Sequence, residues 1–326
     1  MNIVFMGTPE FAVASLQAVL EAGHRVLAVV TQPDRPKGRK RELTPPPVKV
    51  EALKHGLPVL QPEKLRKSDE LQQIINLKPD LIVTAAYGQI LPKSLLEAPA
   101  YGCINVHASL LPRYRGGAPI HYAVMNGDEV AGVTIMYMAE GLDTGDMISK
   151  IEVPITDEDT TGTMFHKLSL AGAQLLQRTL PLFEQGPVAG EPQAESEATY
   201  AGNIRREDER IDWSRDARSL FNHIRGLNPF PGAFTTWNGQ VFKVWAAASP
   251  GPAAAAGSQN AREDGTVPGT VLQLSEQGIE VAVGGGSLWL TQVQPAGKKA
   301  MPASEFARGG TLRTGTVLGG EPHDAE

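Results

Sequence analysis

The chain has 326 residues and a formal net charge of −6, with 41% hydrophobic and 20% charged residues, a composition typical of a soluble globular protein of about two domains. The sequence has no run of about 18 apolar residues, which excludes a membrane span of that kind. Cys103 is the single cysteine, which excludes a cysteine-cluster metal site. That cysteine usage and an N-terminus without signal-peptide character predict a cytoplasmic protein.

Short apolar runs alternate with amphipathic stretches in the first half of the chain, which predicts strands joined by helices. This alternation is typical of an α/β fold with a doubly wound, mostly parallel sheet, whose ligands lie beyond the carboxyl ends of the strands. The predicted strands cover residues 2–6, 25–31, 58–60, 79–88, 102–107 and 131–138, and the predicted helices cover residues 11–23, 45–57, 68–77, 119–128 and 161–185.

The composition changes near residue 186. Proline, glycine and acidic residues without an apolar period then predict a linker. The short apolar runs that follow, separated by turn residues, predict a small antiparallel barrel or sandwich. We therefore expect a catalytic domain over 1–186, a linker over 187–204, a second domain over 205–320 with a mobile alanine-rich loop near 250–265, and a frayed tail over 321–326.

Asn105 and His107 lie two residues apart in the strand over 102–107, so their side chains project from the same face. Asp143 follows the next long strand, in the glycine-flanked stretch "MAEGLDTGD". We expect the three side chains to converge at the carboxyl edge of the sheet as an acid–base site. A satisfied structural Asn–His pair is the alternative when these two residues are taken alone.

The residue types limit the chemistry of such a site. The chain has no G-x-S-x-G elbow, and its cysteine lies inside a strand, which disfavours a covalent acyl-enzyme. Histidines and carboxylates at metal-ligand spacing are also lacking. Direct transfer between two bound substrates remains, in which Asn and His donate to the oxygen of a tetrahedral intermediate. A nearby Asp orients the His or accepts protons.

Taken together, "NVHASLLPRYRGGAPI" and "GLDTGD" resemble the signature of the folate-dependent formyltransferases. The resemblance implies that Asn105, His107 and Asp143 are catalytic, that 10-formyltetrahydrofolate is the co-substrate and that no metal is required. It also implies folate contacts at Tyr87, Gly88, Ser109, Leu110, Leu111 and Pro112.

The resemblance extends to "RIDWS", "NPFPGA" and "QPAGKKAM" and so covers nearly the whole chain. It implies a Rossmann-like formyltransferase domain followed by a small C-terminal OB-like β-barrel domain. The alanine-rich insertion and the final residues match nothing in the family.

Five of the seven residues from 35 to 41 are basic, namely Arg35, Lys37, Arg39, Lys40 and Arg41. This loop and the opening "FMGTPEFA" are similar to those of family members whose acceptor is methionyl initiator tRNA. Dense positive charge suits a row of phosphates, whereas a solvated loop that only aids solubility is the alternative. Arg206, Lys298 and Lys299 are expected to extend this positive surface.

The expected reaction is therefore formyl transfer to the free α-amine of methionyl initiator tRNA, for translation initiation, by direct attack of the neutral amine. We expect a monomer without a membrane partner. Three other functions remain open: a sugar-nucleotide formyltransferase, a formyl-folate hydrolase with water as acceptor, and a non-catalytic RNA-binding protein. The basic loop disfavours the first two, and the intact Asn–His–Asp group disfavours the third.

Overall fold

A computed structural model of the protein describes residues 1–38, 40–250 and 265–320. The chain forms two compact units. The first comprises Met1–Pro119, Val130–Pro154 and Phe165–Gly202, and the second comprises Ile120–Glu129, Ile155–Met164 and the described part of Asn203–Glu326. The alanine-rich stretch over 251–264 and the tail over 321–326 lie outside the described residues.

The first unit is built on a seven-stranded sheet with the order β5-β2-β1-β6-β7-β8-β9. Its first five strands in this order pair in parallel, whereas β8 is antiparallel to β7 and β9 is antiparallel to β8. A separate two-stranded hairpin pairs β3 with β4. The strands are β1 Asn2–Gly7, β2 Arg25–Val30, β3 Arg35–Lys37, β4 Glu42–Thr44, β5 Val59–Leu60, β6 Leu81–Ala85, β7 Cys103–His107, β8 Val130–Tyr137 and β9 Met147–Pro154.

Helices cover both faces of this sheet, which confirms the doubly wound, mostly parallel fold. On one face Gly172 of α6 packs against β7 and β8, and Ser169 of α6 donates to the Phe11 carbonyl of α1. On the other face Ile74 of α3 and Leu95 of α4 share a buried cluster with strand residues. The helices of this part of the chain are α1 Glu10–Glu21, α2 Pro47–Lys54, α3 Asp69–Asn76, α4 Lys93–Leu96, α5 Pro119–Met125 and α6 Thr161–Thr179. Nearly all of α5 and the first residues of α6 belong to the second unit.

Several predicted elements differ from the structure. The predicted helix over 161–185 is α-helical only to Thr179 and continues as a 3-10 helix over Leu180–Gln185, since Pro181 has no N–H to continue the α pattern. Strand β9 was not predicted. The predicted linker over 187–204 is also different, because residues up to Gly202 belong to the first unit.

The second unit contains an antiparallel sheet with the order β10-β11-β14-β13-β12, and β15 pairs with β14. Helix α7 begins at Asp216, whose carboxylate caps it by accepting from the Ser219 N–H. Leu220 and Ile224 of α7 pack into the core of this sheet. The small β domain is confirmed, and its OB topology stays a prediction. The elements are α7 Ala217–Gly226, β10 Ala233–Trp237, β11 Gln240–Ala247, β12 Val271–Ser275, β13 Gly278–Val283, β14 Gly286–Gln294, β15 Met301–Pro302 and α8 Ala303–Arg308.

Candidate active site

Strand β7 presents Asn105 and His107 on one face of the sheet, as the strand period predicts. Val106 points the opposite way, since a Cβ on Gly172 of α6 would come within 2.9 Å of Val106 Cγ1. Cys103, at the start of β7, packs in the cluster on the face of Asn105 and His107. The polar pair therefore continues the row of side chains that begins in this buried cluster.

The Asn105 amide is oriented by strand β6. Its Oδ1 accepts a hydrogen bond from Thr84 Oγ1 at 2.8 Å, and Thr84 is itself 2% exposed. Within the described part of the chain, Asn105 Nδ2 has no acceptor, and the side chain is only partly buried. The arrangement leaves an amide donor directed away from its anchor, which is what an oxygen that develops negative charge requires.

His107 is held by the loop that follows it. The ring is 6% exposed, and Nε2 lies 3.0 Å from the Tyr114 carbonyl oxygen. Because a carbonyl only accepts, Nε2 carries a proton and donates. Nδ1 is the second ring nitrogen, and it lies 3.7 Å from Asp143 Oδ2.

Asp143 lies in the connection between β8 and β9, residues 138–146, named the Asp143 loop below. Its Oδ2 accepts from the Gly116 N–H at 2.8 Å, and its backbone φ is +50°, a region that few residues other than glycine adopt. Asp143 Oδ1 accepts no hydrogen bond from the residues that the structure describes. The loop thus offers one free carboxylate oxygen beside His107.

The expected meeting of His107 and Asp143 occurs, but the expected route is wrong. Asp143 was expected at the carboxyl edge of parallel strands, whereas β8 runs antiparallel to β7 and ends beside Ile104, at the start of β7. The Asp143 loop has to return along β7 to reach His107. Asn105 forms no hydrogen bond with either partner among the described residues and shares only the sheet face with His107.

Sequence reasoning missed a segment that supports both loops of the site. Residues 187–202, called the docked segment, follow the 3-10 helix over Leu180–Gln185 and belong to the first unit. Arg115 N–H donates to the Thr199 carbonyl and Ala201 N–H donates to the Arg115 carbonyl. Gln193 Nε2 donates to the carbonyls of Asp143 and Gly145. The missing signal was backbone pairing, which composition does not reveal.

The segment predicted to contact folate is largely internal. Ser109, Leu111 and Pro112 are buried, and Ser109 Oγ donates to the Arg113 carbonyl at 2.6 Å. Lys150 Nζ donates to the Leu111 carbonyl at 2.7 Å. Leu110 is partly exposed. These residues shape the loop beside His107, and their contact with a folate stays a prediction.

The other two predicted folate residues lie after β6. Tyr87 is 4% exposed and its ring belongs to the buried cluster of α3 and α4. Burial, with a smaller contribution from Glu70, raises the pKa of its phenol. Its carbonyl accepts from Thr8 Oγ1. Gly88 has φ +91°, and a Cβ there would lie 3.2 Å from Gln32 Nε2. The Tyr87 ring is therefore withdrawn from a ligand at this strand end, which leaves the backbone of Tyr87 and Gly88.

The predicted basic loop is a hairpin over residues 35–44, the basic hairpin below, in which Arg35 pairs with Thr44 and Lys37 with Glu42. Arg39 lies outside the described residues. Arg35 forms an exposed ion pair with Glu63 at 2.9 Å, a kind of contact that contributes little. The structure gives no ion pair in the described chain for three further exposed cations of this hairpin, Lys37, Lys40 and Arg41.

The predicted cations of the second unit differ in their surroundings. Arg206 pairs with Glu209, and its guanidinium lies 3.8 Å from the centre of the Phe234 ring. Glu209 and Phe234 would compete with an RNA phosphate for the Arg206 guanidinium. Lys298 and Lys299 are exposed in the turn after β14, and no ion pair is formed by either with a described residue.

A surface beside Lys298 carries an aromatic ring that was not predicted as functional. Phe230 is 76% exposed, and Lys243 Nζ donates to the next carbonyl, that of Pro231. Lys243 lies 5.0 Å from the centre of the Trp245 ring. Gln294 joins this ring to the Lys298 turn, accepting from Trp245 Nε1 and donating to the Lys298 carbonyl. The surface combines an exposed aromatic ring with lysines.

Three findings bear on other kinds of site. Burial raises the pKa of the Cys103 thiol to about 12, which disfavours a nucleophilic thiolate. Among the described residues, no group of three or more His, Cys, Asp or Glu side chains is arranged to hold a metal ion. No helix in the described ranges has the length and apolar character needed to cross a membrane.

The family follows from sequence comparison. Residues 1–180 match the family described as formyl transferase, and residues 203–311 match the formyl transferase C-terminal domain. Together these matches cover most of the chain, and the chain belongs to the formyl transferase family of enzymes.

Two relatives are similar to this chain over nearly its whole length. The chain is 58% identical to the methionyl-tRNA formyltransferase of Geobacillus thermodenitrificans over 322 residues, covering 98% of both chains. It is 56% identical to the methionyl-tRNA formyltransferase of Bacillus subtilis over 319 residues, again covering 98% of both chains.

Solved structures with lower identity share the fold. An N-formyltransferase from Helicobacter canadensis, in complex with folinic acid and dTDP-3-aminofucose, matches with a TM-score of 0.63 at 16% identity, covering 91% of this chain and 99% of that one. HypX from Aquifex aeolicus, in complex with tetrahydrofolic acid, matches with a TM-score of 0.59 at 18% identity. This chain spans about half of HypX, since the match covers 94% of this chain and 46% of HypX.

Proposed function

We propose that this protein transfers the formyl group of 10-formyltetrahydrofolate to the free α-amine of methionyl initiator tRNA, in the cytoplasm and as a monomer, for translation initiation. The observation that carries the proposal is that one unit holds both the Asn105–His107–Asp143 group and an exposed basic hairpin. The first suits formyl transfer and the second suits an acceptor with a row of phosphates. Two full-length relatives that are more than half identical are methionyl-tRNA formyltransferases.

The proposed reaction needs no covalent enzyme intermediate. The neutral amine attacks the formyl carbon to give a tetrahedral intermediate, and the bond from this carbon to N10 of the folate then breaks. The amine loses one proton and N10 gains one. Tetrahydrofolate and formylmethionyl-tRNA are the products.

Three side chains take separate parts in this scheme. Asn105 Nδ2 donates to the formyl oxygen as negative charge develops there, because its other amide atom is occupied by Thr84. His107, held through Nε2 by Tyr114, presents Nδ1, which donates to the same oxygen when the ring is doubly protonated. Asp143 Oδ1 accepts the proton that leaves the amine, directly or through water.

Substrate contacts are assigned as follows. The folate is proposed to lie beside Leu110 and the backbone of Tyr87 and Gly88, against the loop formed by Ser109, Leu111 and Pro112. The basic hairpin, Lys298 and Lys299 are proposed to contact phosphates of the acceptor arm, with Arg206 as a weaker contact because Glu209 neutralises it. Phe230 is proposed to stack on an RNA base, since exposed rings beside cations suit unpaired nucleotides.

The proposal is tested by one assay with purified protein and 10-formyltetrahydrofolate. Formyl transfer is compared for charged methionyl initiator tRNA, an amino-sugar nucleotide and water. We expect transfer to the charged tRNA alone. Transfer only to the sugar nucleotide or to water would preserve the Asn–His–Asp chemistry and refute the tRNA assignment.

A further inference from the structure

Gln193 of the docked segment makes the only side-chain contacts from this segment to the backbone of the Asp143 loop among the described residues. Its Nε2 donates to the Asp143 carbonyl at 2.7 Å and to the Gly145 carbonyl at 2.8 Å. Both N–H groups of one amide are thereby used on two carbonyls that bracket Thr144. A single side chain fixes the loop at the residue that faces His107.

The orientation of the Gln193 amide is itself fixed. Its Oε1 accepts from Arg115 Nε at 3.0 Å, and Arg115 is 1% exposed. The Arg115 guanidinium also pairs with Glu195 at 3.0 Å. Since a guanidinium only donates, the amide oxygen must face Arg115 and the amide nitrogen must face the Asp143 loop.

The Asp143 loop needs such support for two reasons. Asp143 has φ +50°, a conformation that is less favourable than the ordinary right-handed one and persists where surrounding contacts enforce it. In addition, the carboxylate itself has one hydrogen-bonded tie to the described protein, the Gly116 N–H. The backbone contacts of Gln193 therefore decide where the free Oδ1 lies.

We propose that Gln193 is a positioning residue for Asp143, which holds the Asp143 backbone so that the carboxylate reaches the reacting amine. This inference rests on the proposed function for its kinetic consequences. Gln193 forms no hydrogen bond with His107 among the described residues and touches no substrate in this assignment; its amide contacts Arg115 and the carbonyls of Asp143 and Gly145. A misplacement of about 1 Å in a catalytic group lowers a rate by about 100-fold.

The first test compares Gln193→Ala and Gln193→Glu with the wild type in formyl transfer. We expect kcat to fall about 10- to 100-fold in Gln193→Ala while KM for the folate and for the charged tRNA is unchanged. Gln193→Glu is expected to lose at least as much, since its carboxylate would face two carbonyl oxygens. Gln177→Ala is the matched control, because Gln177 is an exposed glutamine whose Nε2 binds Glu21 instead.

The second test separates positioning from a general structural role. Gln193→Ala is combined with Asp143→Asn, which removes the carboxylate but leaves the backbone carbonyl. If Gln193 acts through Asp143, the second substitution adds no further loss of kcat to the slow Asp143→Asn enzyme. An equal loss of kcat in both backgrounds, or a raised KM for folate with unchanged kcat, would overturn the inference.

A third measurement does not depend on activity. Hydrogen–deuterium exchange of the peptide over 138–147 is expected to speed up in Gln193→Ala and to stay unchanged in Gln177→Ala. If exchange is faster in Gln193→Ala but the wild type does not formylate tRNA, the proposed function is refuted and the support of the loop by Gln193 is established. Unchanged exchange and unchanged kcat in an enzyme that formylates tRNA would refute only the role of Gln193.

Discussion

The Asp143 loop and the basic hairpin are both connections of the first unit, and they are held in different ways. The Asp143 loop is tied by Gly116 and by two hydrogen bonds from Gln193. The basic hairpin has its own ladder and one exposed ion pair, Arg35 with Glu63. In the proposed function this difference has a physical reason. Groups proposed to act on the reacting atoms need a fixed position before substrate binds, whereas charges proposed to meet a row of phosphates need only an anchor where the hairpin leaves the domain.

The largest effect on turnover is expected at the proposed active site. Asn105→Ala removes the amide donor, and loss of one such donor lowers kcat by about 100- to 1,000-fold. We expect the Kd of charged tRNA to stay the same, because Asn105 is proposed to contact the formyl oxygen and not a phosphate. Turnover and filter binding measure the two quantities. Asn76→Ala, an exposed asparagine of α3, is the matched control, and a weakened tRNA Kd in Asn105→Ala would contradict the separation.

The next effect concerns the basic hairpin. Replacing Lys37, Lys40 and Arg41 with alanine is expected to weaken tRNA binding about 10- to 100-fold at moderate salt and to reduce the salt slope of log K by up to about 0.9 per lost phosphate contact. The kcat at saturating tRNA should persist. The control carries the same charge change, with alanine at three exposed positions of the same unit, Lys64, Arg66 and Lys67. Equal losses in both triple variants would show that only overall charge matters.

A smaller effect is expected at Phe230 in the second unit. Removal of a stacking ring costs about 1–3 kcal/mol per base, and the lower end of this range predicts that Phe230→Ala weakens tRNA binding by about 5-fold. Phe230→Tyr keeps a ring and should bind as the wild type does, whereas Phe230→Leu keeps apolar bulk and should resemble Phe230→Ala. Equal binding by the leucine and tyrosine variants would argue against stacking.

The smallest effect is expected at the base of the basic hairpin. Asp34 accepts from Lys49 Nζ at 3.0 Å and from Gln61 Nε2 at 2.7 Å. Asp34→Ala should raise KM for charged tRNA only a few-fold and leave kcat unchanged. Hydrogen bonds from Gln61 and then Lys49 hold the pKa of Asp34 below its usual range. The contribution of the ionised Asp34 carboxylate to tRNA binding is therefore present above the usual titration range of an aspartate and is lost as the pH falls below it. The ratio of wild-type to variant KM should stay constant from pH 6 to 8.

The parallel part of the sheet was predictable because its strands are short β-branched runs between helical periods. The antiparallel pairing of β9 with β8 was not predicted, although one signal was present. Only residues 138–146 separate β8 from β9, too few for the crossover that parallel neighbours require. All residues of strand β9, "MISKIEVP", except the first are partly or fully exposed, and an edge strand of this kind carries little apolar signal.

The shared position of Asn105 and His107 was predictable for a local reason, since residues two apart in a strand project from the same face. The support of the Asp143 loop by Gln193 was not predictable. Gln193 is 50 residues away from Asp143 and lies in a stretch with no apolar period. Backbone pairing between distant segments leaves no compositional trace, so the docked segment was predicted to be a linker.

The docked segment determines where the first unit can be joined to a different C-terminal domain. A chimaera that exchanges the C-terminal domain at residue 186 would separate Gln193 and Thr199 from the loops that they hold. An exchange after Gly202 keeps every one of these contacts, because the first unit ends there. Modular recombination within the family is therefore constrained to a junction about 16 residues later than composition suggests, the difference between 202 and 186.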